Sequence, residues 1–316
     1  MTKRKILGCS FPVVIGAGIL VLLLAFYSLL GGPIGSAIFK INFPSWLKLA
    51  QPHFELAAET LFNIGSFPFT NTMIATWITM IVVVLLSYFA FRKPKVVPGG
   101  LQAVMEFIYG SLLSFCQSIA GEKHGRRFFP VVATIFIFVL ANAWLSLLPF
   151  YGNAFYIGQN IPLIRGANTD INVPLAVALF SFFSVWYFGI RELGLLEYLS
   201  QFVPFQRVKS SLAKLFRGNV AGAMGDLSFG VVNLFSGTLE LLSQLIRVVS
   251  FTFRLFGNMI AGEILLMVIT YLAGFGVPVV FYALELLVGF IQALIFGTLT
   301  LIFLNVAIAS HEEEMT

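Results

Sequence analysis

Charge is what this sequence has least of. Asp, Glu, Lys and Arg make up 10% of its 316 residues, against about 25% in soluble domains. With 59% hydrophobic residues and a mean hydropathy of +0.94, that deficit excludes a water-soluble globular chain and points to a polytopic membrane protein. Cysteine is nearly missing as well: Cys9 and Cys116 lie far apart, which excludes a disulfide framework and any paired-thiolate metal spacing. The three histidines, His53, His124 and His311, fall in predicted loops or the tail, so they read as surface residues rather than metal ligands. Neither G-x-S-x-G nor H-E-x-x-H occurs, which leaves an intramembrane hydrolase without its nucleophile or its metal. Internal repeats and paired broken helices, the marks of a secondary ion-coupled transporter, are also missing. That transporter stands as the alternative to the reading reached below. In a soluble chain the net charge of +5 and pI near 9.2 would suggest nucleic acid; here the basic residues are topology signals, and no nucleic-acid partner is expected.

What the chain does have is long apolar runs. A helix needs about 20 residues to cross a hydrocarbon core of about 30 Å. Six segments qualify, at approximately 11–31, 70–91, 128–150, 172–190, 229–270 and 277–309, and the first four carry no charged residue. With the N-terminus inside, the cytoplasmic segments hold Lys3, Arg4 and Lys5, six basic residues from Arg92 to Arg127, and five from Arg191 to Arg217. The opposite side holds only Lys40, Lys48 and Arg165, so the asymmetry puts both termini in the cytoplasm. The first run also fits a signal peptide, with Gly35 and Ala37 spaced like a cleavage site, although it is longer than the usual apolar core of about 7–15 residues. A retained anchor over residues 1–35 and one membrane domain over 36–316 are expected. After the breaker Pro98-Gly99-Gly100, Leu101, Val104, Met105, Ile108, Leu112, Phe115 and Ile119 recur at helical spacing, which predicts an amphipathic helix along the cytoplasmic interface. The expected fold is all-α.

The last two runs are each too long for an upright crossing. A helix over 229–270 extends about 60 Å, so a long tilted hairpin is predicted at the C-terminal end. These runs also hold the buried charges. Asp226, Asn233, Glu240, Arg247 and Arg254 recur every seventh residue, a step that drifts only about 20° around a helix and so forms one slowly winding stripe. Asn258 joins the face of Arg254, whereas Glu263, nine residues on, falls on the opposite side. Glu285 and Gln292 lie seven apart on the final helix. A charge at membrane depth is expensive, about 2.5–3.5 kcal/mol on insertion scales. Such charges mark ion paths, or else structural pairs in which Arg247 and Arg254 hold Glu240 or Glu263. Asn142, Asn233 and Asn305 read as interhelical hydrogen-bonding residues, and Asp170 as the polar start of the helix at Asn172.

The run Ser250-Phe251-Thr252-Phe253-Arg254-Leu255-Phe256-Gly257-Asn258-Met259-Ile260-Ala261-Gly262-Glu263, followed by Gln292-Ala293-Leu294-Ile295-Phe296, resembles subunit a of the F-type ATP synthases. The resemblance extends through Glu240 and Arg247, Thr169-Asp170-Ile171-Asn172-Val173 and Glu59-Thr60-Leu61-Phe62, covering about residues 50–310. It implies a non-catalytic, proton-translocating stator subunit in a bacterial plasma membrane. It further implies partnership with a ring of c subunits, peripheral-stalk b subunits and the rest of the complex, with no cofactor or metal. On this resemblance Arg254, with Asn258 beside it, faces the ring carboxylate. Glu263, Glu285 and Gln292 belong to an outer half-channel, and Glu240 with Arg247 to a cytoplasmic one. Many relatives carry histidine at one position of the acid pair where this chain has two glutamates.

Overall fold

The computed structural model describes residues 5–6, 9–10, 33, 57–148, 151, 156–157, 161–200, 220–273 and 277–309. The first expected span, with the alternatives of anchor and signal peptide, lies outside the described residues, as do the side chains of Asp226 and Asn233. Among the described residues, five helices are long and apolar enough to cross a membrane. The chain is an all-α integral membrane protein with small hairpins added.

In chain order, β1 (Lys5–Ile6) pairs antiparallel with β2 (Cys9–Ser10), and β3 (Thr60–Ile64) with β4 (Phe67–Thr70). The second hairpin turns at Gly65, whose φ of +64° suits glycine, and Phe62 stacks on Phe69 with centroids 4.9 Å apart. Helix α1 (Asn71–Phe91) follows at once. The Thr70 hydroxyl oxygen accepts the Met73 backbone N–H at 3.4 Å, so the last strand residue also caps the helix. Next comes α2 (Leu101–Ser146), which joins the expected interfacial helix to the expected third span. Gly121, at φ 74° and ψ 169°, breaks it into two helical arms. Strands β5 (Tyr156–Ile157) and β6 (Ile161–Pro162) form a short antiparallel ribbon. Helix α3 (Asn172–Leu193) starts where the Asp170 carboxylate accepts the Asn172 backbone N–H at 3.1 Å, so the side-chain acceptor stands one residue ahead of the cap residue Ile171. A short α4 (Leu195–Ser200) precedes the hairpin α5 (Val220–Ala273) and α6 (Pro278–Ala309). At 54 residues α5 is about 80 Å long, far beyond an upright crossing.

Packing divides the chain into two compact units. One comprises 1–74, 143–169 and 257–291; the other comprises 75–142, 170–256 and 292–316. The first buries an unusual share of polar side chains, among them Asn71, Thr72, Arg165, Asn168, Thr169 and Glu285. Within it the Trp144 indole N–H donates to the Leu286 carbonyl at 3.1 Å, tying α2 to α6. The second has an apolar core in which Cys116, Ala120, Phe128, Val132, Val185, Phe188, Leu301 and Leu304 pack together. Beside that core, Ser181 and Thr300 share a buried hydrogen bond of 2.8 Å, and Arg127 pairs with Glu192 while lying over the Phe188 ring.

Candidate functional site

In the first unit the acid pair is joined by an arginine from a distant loop. Arg165 lies just before the single helical turn Ala167–Thr169 and is 6% exposed. Its Nε donates to both carboxylate oxygens of Glu263, at 3.1 and 3.3 Å, and its Nη2 to Oε2 at 3.1 Å. Its Nη1 donates to the Ala57 carbonyl at 3.3 Å, so the loop before β3 helps to hold the fork. A two-pronged guanidinium–carboxylate contact is directional as well as charged.

Glu285, on α6, is 7% exposed. The ion pairs among the described residues are Arg127–Glu192 and Arg165–Glu263, so Glu285 has no cationic partner there. Its carboxyl group lies where a Cβ on Gly262 would stand. Only glycine at that position lets the acid reach the α5 backbone, one residue from Glu263. The Glu285 carboxyl thus lies at the residue preceding Glu263, and the two glutamates stand in unlike settings.

Burial of polar groups in this unit extends to residues that the sequence did not single out. The Asn71 amide, 0% exposed, donates to the Glu59 carboxylate at 3.4 Å and to the Pro162 carbonyl at 3.3 Å. Asn168 is also fully buried, and neither of its amide atoms has a partner among the described residues. A buried primary amide without a protein partner is a place for bound water.

The second unit builds a different chain of contacts. Glu240 is exposed and accepts from the Gln244 amide at 3.3 Å, while the Gln244 oxygen accepts the Trp186 indole N–H at 2.8 Å. One turn on, the Arg247 guanidinium lies 3.3 Å from the centre of the Phe303 ring. Phe303 in turn approaches Phe251 at 6.0 Å. A cavity lined by Ser181, Phe182, Gln244, Arg247, Phe251 and Phe303, among others, opens beside this stack. Tyr198, 1% exposed, packs on Trp186 with centroids 5.9 Å apart. Burial pushes its phenol pKa above the ordinary value and the charge of Glu240 adds to the shift, while Gln244 and Arg247 oppose it.

Arg254 is half-buried, with its guanidinium carbon 5.9 Å from the centre of the Phe251 ring. Phe253, Gly257 and Asn258 around it are exposed. Gln292 is 4% exposed. Sequence reasoning missed Arg165, Trp186, Gln244 and Phe303. Arg165 carried one signal, as a basic residue on the side where such residues are scarce.

The sequence profile of the ATP synthase A chain family matches residues 73–305. An ATP synthase subunit a 2 of Bradyrhizobium sp. (strain BTAi1) is 32% identical over 256 residues, which cover 81% of this chain and 96% of the relative. The ATP synthase subunit a of Gloeobacter violaceus is 32% identical over 77% of this chain and 85% of its own length. An ATP synthase subunit a 3 of Pelobacter propionicus is 34% identical over 73% and 84% respectively.

Proposed function

Because this chain belongs to the ATP synthase A chain family, the proton-channel stator subunit of F-type ATP synthases, we propose that Arg254 is the fixed charge past which a ring of c-subunit carboxylates turns. The chain is a membrane subunit of that complex rather than an enzyme in its own right. Its site is assigned here as two half-channels. Glu263, Glu285 and Gln292 serve the outer one, Glu240 and Arg247 the cytoplasmic one, and Arg254 with Asn258 separates them. The membrane is a bacterial plasma membrane with both termini cytoplasmic, and the peripheral-stalk b subunits hold the domain over 36–316 against rotation.

The observation that carries this reading is the surface of α5 around Arg254. Ile246, Val249 and Phe253 are 58%, 53% and 57% exposed, and the arginine sits half-buried at the end of that apolar stripe, next to exposed Gly257 and Asn258. An apolar helix face with one charge at its edge suits a partner helix that carries a single carboxylate.

The chemistry then follows. Arginine keeps its proton, with a side-chain pKa of roughly 12.5–13.8, so it relays nothing itself. A proton arriving through the outer half-channel neutralises a ring carboxylate, which can then enter lipid. The next carboxylate, brought beside Arg254, is favoured in its ionised form and releases its proton towards Glu240. Each charge moved through 100 mV yields about 2.3 kcal/mol, and several per turn drive ATP formation elsewhere in the complex. Arg254→Ala should abolish ATP-driven proton pumping in inverted vesicles while the complex still assembles. Coupled pumping at the wild-type rate would defeat the proposal.

A further inference from the structure

The two glutamates of the outer half differ in a way that divides their labour. Glu263 is held by three hydrogen bonds from a guanidinium that is itself 6% exposed. Removing the Glu263 charge would leave the buried Arg165 guanidinium without its counter-ion, an unfavourable state. Glu285 has no cation to abandon among the described residues, and it can take up or give up a proton without disrupting an ion pair. Its carboxyl group reaches the α5 backbone through the gap at Gly262.

Resting on the half-channel reading above, we propose that Arg165 is a positioning residue that commits Glu263 to a permanent ion pair, leaving Glu285 as the acid that carries the proton on the outer side. The step is a simple exchange. The Glu285 carboxylate takes a proton from a hydronium ion on the outer side, one hydronium O–H bond breaking to leave water as the Glu285 O–H forms; that O–H then breaks as the proton passes to an acceptor carboxylate, returning Glu285 to its anionic form. Glu263 stays paired throughout and fixes the loop that carries Arg165 against α5.

The test compares proton-driven ATP synthesis in vesicles for five variants of the whole complex: Arg165→Gln, Glu263→Gln, Glu285→Gln, Arg165→Gln with Glu263→Gln, and Arg165→Gln with Glu285→Gln. Rates are normalised to the amount of assembled complex in the membrane. Either single change at the pair leaves one buried charge uncompensated and should reduce the rate by at least about tenfold, whereas removing both charges should restore it to within about threefold of wild type. The Glu285→Gln variant should be inactive, alone or with Arg165→Gln. If Arg165→Gln does not assemble, the comparison of Glu263→Gln with the first double variant decides the matter by itself. A double variant no faster than Glu263→Gln, or a Glu285→Gln variant at the wild-type rate beside an inactive Glu263→Gln, overturns the division of labour while leaving the half-channel intact. If Glu263→Gln and Glu285→Gln both match wild type, the outer half-channel reading itself fails.

Discussion

Arg165 and Arg247 show two ways of holding a guanidinium away from water. The first is closed into a two-pronged ion pair with Glu263, so its charge is cancelled on the spot. The second lies face-on to Phe303, 3.3 Å from the ring centre. An aromatic face attracts a cation without neutralising it. One arrangement gives a locally neutral, rigid fixture; the other leaves a positive field available to Glu240, seven residues away on the same helix.

The comparison can be broken most decisively by topology. Cysteine placed at Lys95 and at Ile171, both exposed positions, should be labelled from opposite sides of sealed membranes, and labelling of both from one side would overturn the orientation. Next in size is Gly262→Ala, which pushes a methyl group into the Glu285 carboxyl; overpacking of this kind typically costs about 1–3 kcal/mol. Proton-driven ATP synthesis should fall severalfold, and an unchanged rate would mean that Glu285 need not approach α5. Phe303→Leu removes the ring under Arg247 at a cost of about 0.5–2 kcal/mol, and should slow ATP synthesis with little effect on the amount of complex. A rate equal to wild type would show that the stack is only packing. Smallest is Trp186→Phe, which deletes one donor to Gln244, worth about 1 kcal/mol. It should give a modest loss of thermal stability in detergent, measured by the temperature at which the complex dissociates.

The long helices were legible because a span is written in contiguous residues. The runs predicted at 70–91 and 172–190 appear as Asn71–Phe91 and Asn172–Leu193, and the two long C-terminal runs as the helices Val220–Ala273 and Pro278–Ala309. The hairpin at Thr60–Thr70 was not foreseen, since its signal is a Gly-Ser turn in a segment without clear alternation. The spacing of the candidate residues was readable along α5 and α6, where one helix orders the side chains. Their partners were not, for Arg165 meets Glu263 across 98 positions and Trp186 meets Gln244 across 58. No periodicity reports a contact made by tertiary folding.

The break at Gly121 bears on how this subunit withstands load. A stator is pushed sideways whenever the rotor is driven, and a continuous α-helix transmits such a push along its hydrogen-bond ladder. Residues 101–120 and 122–146 have no such ladder through the residue that joins them, since Gly121 departs from helical geometry. Stiffness at this joint must come from side chains instead, with Cys116 and Ala120 on one arm locked against Phe128 and Val132 on the other. The joint between the two arms is thus held by buried packing rather than by a helical ladder through Gly121.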